Sequence, residues 1–116
     1  MKTQSAKAKG RNLQKLVAQK ILDTFPELTK NDVRSTSMGN QGVDVQLSQR
    51  ALQLFPYSVE CKSRKAIAIY GDFQQAMDNT ETGMPLLVIK QNRGKPLAVI
   101  DLDHFMEIIS GRKTSI

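Results

Sequence analysis

Residues 42–48 read Gly-Val-Asp-Val-Gln-Leu-Ser, and residues 55–62 read Phe-Pro-Tyr-Ser-Val-Glu-Cys-Lys. Apolar and polar side chains alternate in both runs, which predicts two β-strands with one buried face each. Side chains two residues apart in a strand point to the same face, so Glu60 and Lys62 share the polar face of the second strand. If the two strands pair, Asp44 joins them. Two carboxylates and an ammonium group would then converge, an arrangement that can hold a divalent cation beside a phosphate.

Helical and strand patterns continue on both sides of this stretch. Apolar residues recur at helical spacing between residues 10 and 24, and the run Leu-Leu-Val-Ile at 86–89 indicates a strand buried on both faces. The predicted elements are a helix from near Gly10 to about Thr24, strands at 32–37 and 43–47, a short helix at 49–54, a strand at 57–62, a helix at 66–79, strands at 86–90 and 97–100, and a last helix that follows Asp101 or Asp103 and stops at Gly111. This order predicts an α/β fold in which helices flank a mixed sheet.

The chain of 116 residues is long enough for one domain with a modest core. We expect residues 1–8 to form a basic flexible tail and residues 9–116 to form that domain. No apolar run approaches the ~20 residues that span a bilayer, and no apolar segment of a secretory signal follows the basic start. We therefore expect no membrane contact. The single cysteine, Cys61, is predicted to be a small core residue, and a reducing cytoplasm is the predicted location.

Positive charge is concentrated at the N-terminal end. The first 20 residues contain six lysine and arginine residues and no acid, which equals the whole formal net charge of +6. Such a basic end favours a polyanion partner, most simply a nucleic-acid backbone, although a solvated tail that aids solubility has the same composition. The chain has no tryptophan and 5% aromatic residues, so we expect contacts to the backbone rather than base stacking. The candidate DNA-binding side chains are Lys7, Lys9, Arg11 and Lys15.

Asp44 followed by Glu60-Cys61-Lys62 resembles the signature of the PD-(D/E)xK nuclease superfamily, in which a lone aspartate precedes a Glu-x-Lys tripeptide. Over residues 7–105 the order of elements also resembles small Holliday-junction resolvases of archaea and phages. The resemblance implies a restriction-endonuclease-like αβββαβ core with an extra C-terminal strand and helix. The phage type is the most similar, through Lys9-Gly10-Arg11, Ser37-Met38-Gly39 and Gln75-Ala76.

The resemblance also implies roles for the residues of the signature. Mg²⁺, with Mn²⁺ as a possible substitute, would be bound by the carboxylates of Asp44 and Glu60, which are the hard oxygen ligands that Mg²⁺ prefers. The backbone carbonyl of Cys61 would add a third oxygen. Lys62 would contact the scissile phosphate or orient the attacking water.

The resemblance also bears on three further positions. Many members of the superfamily place a glutamate on the first helix at the metal site, whereas the matching edge position here is Gln14, which contributes an amide without charge. Gln14 is either a site residue or an ordinary helix-edge residue. Gln75 resembles a position that faces the active site, although an exposed glutamine is the alternative. Ser37 would lie near the DNA phosphate or would stabilise the turn that follows it.

Taken together, these features predict a metal-dependent DNA endonuclease that resembles a structure-specific resolvase of four-way junctions, in the cytoplasm of a bacterium or a phage-infected host. Two symmetric cuts by a chain with one site require a C2 homodimer, with the apolar face of the last or the second long helix as its interface. The alternatives are a restriction-type or repair-type nuclease, a catalytically silent nucleic-acid-binding module, and an RNA-associated basic protein. A surface ion pair between Glu60 and Lys62, with Asp44 an ordinary acid, is the purely structural alternative.

Overall fold

The computed structural model describes residues 5–35 and 43–111 of the chain. The predicted order of helices and strands is confirmed within these residues. The elements are α1 (Ala6–Thr24), β1 (Val33–Ser35), β2 (Val45–Leu47), α2 (Gln49–Leu54), β3 (Tyr57–Ser63), α3 (Ile69–Asn79), β4 (Met84–Lys90), β5 (Leu97–Val99) and α4 (Leu102–Ser110).

A mixed three-stranded sheet forms the centre of the protein, in the order β3-β4-β5. Strands β3 and β4 are parallel, and β4 and β5 are antiparallel. The parallel pair requires a crossover between its strands, which α3 provides. The predicted α/β fold with a mixed sheet flanked by helices is therefore confirmed.

The strand that follows Asp44 does not pair with β3. Instead β2 forms a separate antiparallel ladder with β1, and it begins at Val45, two residues later than predicted. The chain leaves β2 because Ser48 caps the next helix, accepting a hydrogen bond from the Ala51 N–H, and donates from its hydroxyl to Asp32. The residue before β2 is still bonded to the central sheet, because the Asp44 N–H donates to the Val59 carbonyl at 3.0 Å.

Two apolar clusters hold the helices to opposite faces of the central sheet. On one face, Leu13 and other residues of α1 pack with Val59, Cys61 and Val88. On the other face, α3 packs against Leu87, which has no exposed surface. The continuous apolar run of β4 is therefore buried on both faces, as predicted. Strand parity then places the even-numbered side chains of β3 on the α3 side of the sheet.

The first helix begins four residues before its predicted start at Gly10, so residues 6–8 belong to α1. Ser5 explains the difference, because its hydroxyl accepts a hydrogen bond from the Ala8 N–H and caps the helix. Gly10 therefore lies inside the helix rather than at its start. Residues 1–4 of the expected basic tail lie outside the described part of the chain.

The predicted start of α3 is wrong. The helix begins at Ile69 rather than at residue 66, because the Arg64 N–H still donates to the Lys90 carbonyl and extends the sheet beyond β3. The side chain of Tyr70 is 94% exposed, and the buried positions of the helix are Asp72 and Ala76. Phe73 is partly buried and packs against the same apolar cluster as Ala76.

The last helix is fastened to the sheet by polar contacts. Of the two predicted caps, Asp101 rather than Asp103 caps it, and Gly111 ends it with φ of 72°, as predicted. His104 bonds to the Tyr57 hydroxyl at 2.8 Å and to Glu107 at 3.2 Å. No residue of α4 is buried, so its apolar side chains are exposed: Leu102, Phe105, Met106, Ile108 and Ile109. No helix in the described ranges is long and apolar enough to cross a membrane.

Gly83 directly precedes β4, and its backbone conformation suits glycine. Substitution at this position therefore tests the fold. The φ of Gly83 is 78°, and a Cβ atom there would lie 2.6 Å from the Pro56 carbonyl oxygen, which accepts a hydrogen bond from the Met84 N–H. We expect Gly83→Ala to lower the free energy of unfolding by about 2 kcal/mol or more, from left-handed strain plus the steric clash. Urea denaturation measures this difference.

Gly71→Ala is the matched control, because Gly71 lies in α3 with no heavy atom within 4 Å of the added Cβ. Helix propensity predicts that this variant is more stable than the wild type by up to ~1 kcal/mol. A Gly83→Ala variant as stable as the wild type would contradict the described approach of β4 to β3.

Candidate active site

A cleft of about 700 Å³ runs beside the end of β3, between α1 and α3. The structure brings six predicted site residues together in its lining: Gln14, Asp44, Glu60, Cys61, Lys62 and Gln75. They come from the first helix, the segment before β2, the central sheet and the crossover helix. The convergence depends on the tertiary fold, since no two of these elements are adjacent in sequence except β3 and α3.

Asp44 is held by two hydrogen bonds to β3. Its N–H donates to the Val59 carbonyl, and its Oδ2 accepts the Cys61 N–H at 2.6 Å. The side chain therefore takes the place that a neighbouring strand would occupy. Burial, together with the nearby Glu60, raises the pKa of Asp44 to about 6, although the Cys61 N–H and Lys62 act in the opposite direction.

Glu60 is 5% exposed, and each of its carboxylate oxygens has a polar partner. The Asn79 amide, at the end of α3, donates to its Oε1 at 3.1 Å. The Lys62 ammonium lies 3.5 Å from its Oε2. The expected same-face placement of Glu60 and Lys62 is thus observed, with both side chains bordering the cleft. Glu60 and Lys62 therefore do not form the surface ion pair of the structural alternative, because the Glu60 side chain is buried.

Cys61 points its thiol into the core on the opposite face of the sheet, as predicted. Burial raises the pKa of the thiol far above its ordinary value, with Asp44 and Glu60 adding to the effect, so it stays protonated. The N–H and carbonyl of one strand residue point to the same neighbour. Because the Cys61 N–H bonds to Asp44, its carbonyl oxygen also faces the Asp44 side of β3.

Gln14 is 5% exposed, and its Oε1 is a buried acceptor with no hydrogen-bond partner among the described residues. Leaving such an acceptor unsatisfied costs about 1–3 kcal/mol. Gln14 occupies the cleft wall contributed by α1, on the same side of the helix as Ala6 and Gly10. Its oxygen is therefore suited to accept a hydrogen bond from a bound water or to contact a cation.

The oxygen donors of the cleft fit a hard divalent cation. Asp44 and Glu60 offer carboxylates, Cys61 offers a carbonyl, and Gln14 offers an unpartnered amide oxygen. Mg²⁺ is typically bound by one or two carboxylates with waters and phosphate oxygens completing its octahedron. Within residues 5–35 and 43–111 no group of three or more His, Cys, Asp or Glu side chains is close enough to hold a metal. A Mg²⁺ held by two carboxylates would keep several waters in its octahedron.

The basic side chains of α1 fall on different sides of the helix. Lys7, Arg11 and Lys15 are exposed and four residues apart, so they form one row. Lys9 points elsewhere, and its ammonium donates to the Asn92 side chain in the turn after β4 at 2.9 Å. Of the four candidate DNA-binding residues of α1, three therefore share a face. Ser37 lies outside the described residues.

On α3, the cleft is lined by Gln75, whereas Gln74 bonds along the helix to Asp78 at 2.9 Å. This settles which of the two neighbouring glutamines borders the site. The sequence interpretation missed Asn79, which fixes Glu60, and Arg64, which also lines the cleft. Strand parity with Glu60 and Lys62 could have identified Arg64.

Comparison of the chain with family models, curated proteins and solved structures finds no match. Its site is therefore interpreted from its own geometry and chemistry.

The raised pKa of Asp44 predicts a pH-dependent stability difference in the metal-free protein. In EDTA, we expect Asp44→Asn to be more stable than the wild type above pH 6, because the native state holds the Asp44 proton more tightly than the unfolded state does. The difference should shrink as the pH falls and vanish below the ordinary aspartate pKa of 3.8. The amide oxygen that the substitution introduces can still accept a hydrogen bond from the Cys61 N–H, so this contact with β3 is kept.

Thermal melting of both proteins across this pH range measures the effect. Asp23→Asn serves as a control, because Asp23 is exposed on α1 and does not line the cleft. A wild type that stays as stable as Asp44→Asn at every pH would contradict the burial of this carboxylate.

Proposed function

We propose that this protein is a metal-dependent DNA endonuclease with a PD-(D/E)xK-type site on a restriction-endonuclease-like core. The observation that carries the proposal is the meeting of Asp44, Glu60 and Lys62 in one open cleft. Two carboxylates and a lysine beside a cavity form a constellation suited to phosphodiester hydrolysis. The excess of positive charge in the first 20 residues, most of it on α1, supports a polyanionic substrate.

Asp44, Glu60 and the Cys61 carbonyl are the groups that would hold Mg²⁺, or Mn²⁺ in its place. When bound, the cation supplies Lewis-acid stabilisation of the negative charge that develops on the phosphate. Asn79 keeps the Glu60 carboxylate in position through its amide hydrogen bond. The Cys61 N–H does the same for Asp44.

Lys62 and the two glutamines act on the substrate. The Lys62 ammonium projects into the cleft 3.5 Å from Glu60, where it stabilises negative charge on the scissile phosphate. Gln14, with its unpartnered Oε1, accepts a hydrogen bond from the attacking water and so orients it. Gln75 donates from its amide to a phosphate oxygen across the cleft.

The row formed by Lys7, Arg11 and Lys15 binds phosphates of the DNA outside the cleft. Such contacts position the duplex without reading its sequence. The N-terminal half of α1 forms one wall of the cleft through Ala6 and Gly10, so this row and the scissile phosphate would lie on one continuous surface.

Within this function, a four-way DNA junction is the substrate we propose. Two symmetric cuts need two copies of the site, so the working form is a C2 homodimer in the cytoplasm. The exposed apolar side chains of α4, including Leu102, Phe105 and Ile109, support a contact between copies on that helix. Exposed apolar surface of this kind is more frequent at protein interfaces than elsewhere on a monomer.

A catalytically silent DNA-binding module is the second candidate function. It is favoured by one observation, the presence of Gln14 where a carboxylate would complete a three-acid site. In that case the cleft would bind a phosphate through Lys62 without hydrolysis.

Cleavage assays separate the two candidates. We expect the wild type with Mg²⁺ to make paired nicks in a synthetic four-way junction, and to cut linear duplex, flap and single-stranded DNA more slowly. Lys62→Ala should lower the cleavage rate by about 100-fold or more, because it removes a donor aimed at the developing charge. Junction affinity measured in EDTA should change by less than about tenfold.

Lys65→Ala is the matched control, since Lys65 is exposed and lies outside the cleft lining. It should cleave at the wild-type rate. A wild type that binds the junction but never cuts it in Mg²⁺ or Mn²⁺ would establish the silent module. Equal rates for linear duplex and junction would instead indicate a restriction-type or repair-type nuclease.

A further inference from the structure

Arg64 continues the row of side chains formed by Glu60 and Lys62. It follows the last residue of β3, shares the parity of both side chains, and lines the cleft. Its N–H donates to the Lys90 carbonyl at 3.1 Å, which extends the parallel ladder by one residue. The backbone at Arg64 thus belongs to the same hydrogen-bonded ladder as the strand that carries the proposed metal ligands.

A buried carboxylate fixes the Arg64 side chain. One terminal nitrogen of its guanidinium lies 2.8 Å from Oδ1 of Asp72 in the first turn of α3. Asp72 is 6% exposed, and its own N–H is anchored by the Ala68 carbonyl at 2.8 Å. Nothing in the described part of the chain bonds to its buried Oδ2.

This ion pair is poorly built for stability. A bidentate contact would satisfy both carboxylate oxygens, yet Arg64 makes one hydrogen bond to Asp72. The desolvation penalty of a buried carboxylate often exceeds the favourable electrostatic energy of such an ion pair. The Arg64 side chain meanwhile remains 45% exposed beside the cleft, with four of its five N–H donors not used by Asp72. The arrangement therefore presents a fixed cationic fork to whatever enters the cleft.

We propose that Arg64 binds the phosphate next to the scissile one, and that Asp72 is the positioning residue that holds it there. This inference rests on the proposed nuclease function. Two residues along a strand span about 6.6 Å, which is comparable to the separation of neighbouring phosphates on one DNA strand. Lys62 and Arg64 thus face two successive phosphates. The guanidinium fork suits bidentate contact with phosphate oxygens, and its pre-ordering by Asp72 lowers the entropic cost of binding.

Steady-state cleavage of the four-way junction and binding of the same junction in EDTA across a salt series test the proposal. Arg64→Ala should raise KM about tenfold while kcat changes by less than about threefold. The slope of log K against log salt should fall by about 1, the value for one lost phosphate contact. Arg64→Lys should keep most of the salt slope and still raise KM, because it retains the charge without the fork.

Asp72→Asn should raise KM in the wild-type background and change nothing further in an Arg64→Ala background, because Asp72 acts through Arg64. The Arg64→Ala/Asp72→Asn double variant also guards against misfolding, since it removes the charge that Arg64→Ala alone would leave buried and unpaired. Lys65→Ala, which removes an adjacent exposed charge outside the cleft lining, should show the wild-type KM.

An unchanged KM and salt slope in Arg64→Ala and in the double variant would overturn the proposal. The Arg64–Asp72 pair would then have only a structural role, joining the end of β3 to α3. That result would not affect the nuclease function, which the loss of cleavage in Lys62→Ala decides separately. A wild type that binds DNA without cutting it would contradict the nuclease function alone, and the salt slope would still show whether Arg64 meets a phosphate.

Discussion

The candidate site depends on the hydrogen bond from the Cys61 N–H to the Asp44 carboxylate. Strand β2 pairs with β1, so no strand ladder carries Asp44 to the central sheet. This bond and the one from the Asp44 N–H to Val59 join the segment before β2 directly to β3. They bring a second carboxylate beside Glu60. Strand geometry turns the Cys61 carbonyl toward the Asp44 side of β3, so these two bonds place the Asp44 carboxylate near that carbonyl as well as near Glu60.

The position of Asp44 has an electrostatic cost. Its pKa is raised because the carboxylate is partly removed from water and lies near a second acid, Glu60. Lys62 offsets part of that repulsion, and Asn79 satisfies one oxygen of Glu60. A divalent cation would relieve the rest, since it favours both carboxylates in their charged forms. Shifted pKa values and a lower free energy of unfolding are frequent at binding and catalytic sites, where charged groups are held in a pre-ordered arrangement.

Local periodicity was sufficient to predict the element order and the shared face of Glu60 and Lys62, because strand parity involves only neighbouring residues. The sequence also predicted an aspartate cap for α4, although it did not distinguish Asp101 from Asp103. The contacts of Asn79 and Asp72 were not, since they depend on how α3 crosses the sheet. The pairing of β2 with β1 was also missed, because alternation predicts a strand and its buried face but not its partner. The functional hypothesis came from the family resemblance, and the cleavage assays proposed above test it.

The most direct test of the account is the position of a divalent cation in the protein. Crystals grown with Mn²⁺ and a junction-derived DNA strand should give an anomalous difference peak in the cleft, bonded to oxygens of Asp44 and Glu60 at about 2.1 Å. The same peak should lie within reach of the Cys61 carbonyl. Bound DNA with no cation in this cleft, or a cation held only elsewhere on the chain, would contradict the central claim that these two carboxylates form a metal-dependent nuclease site.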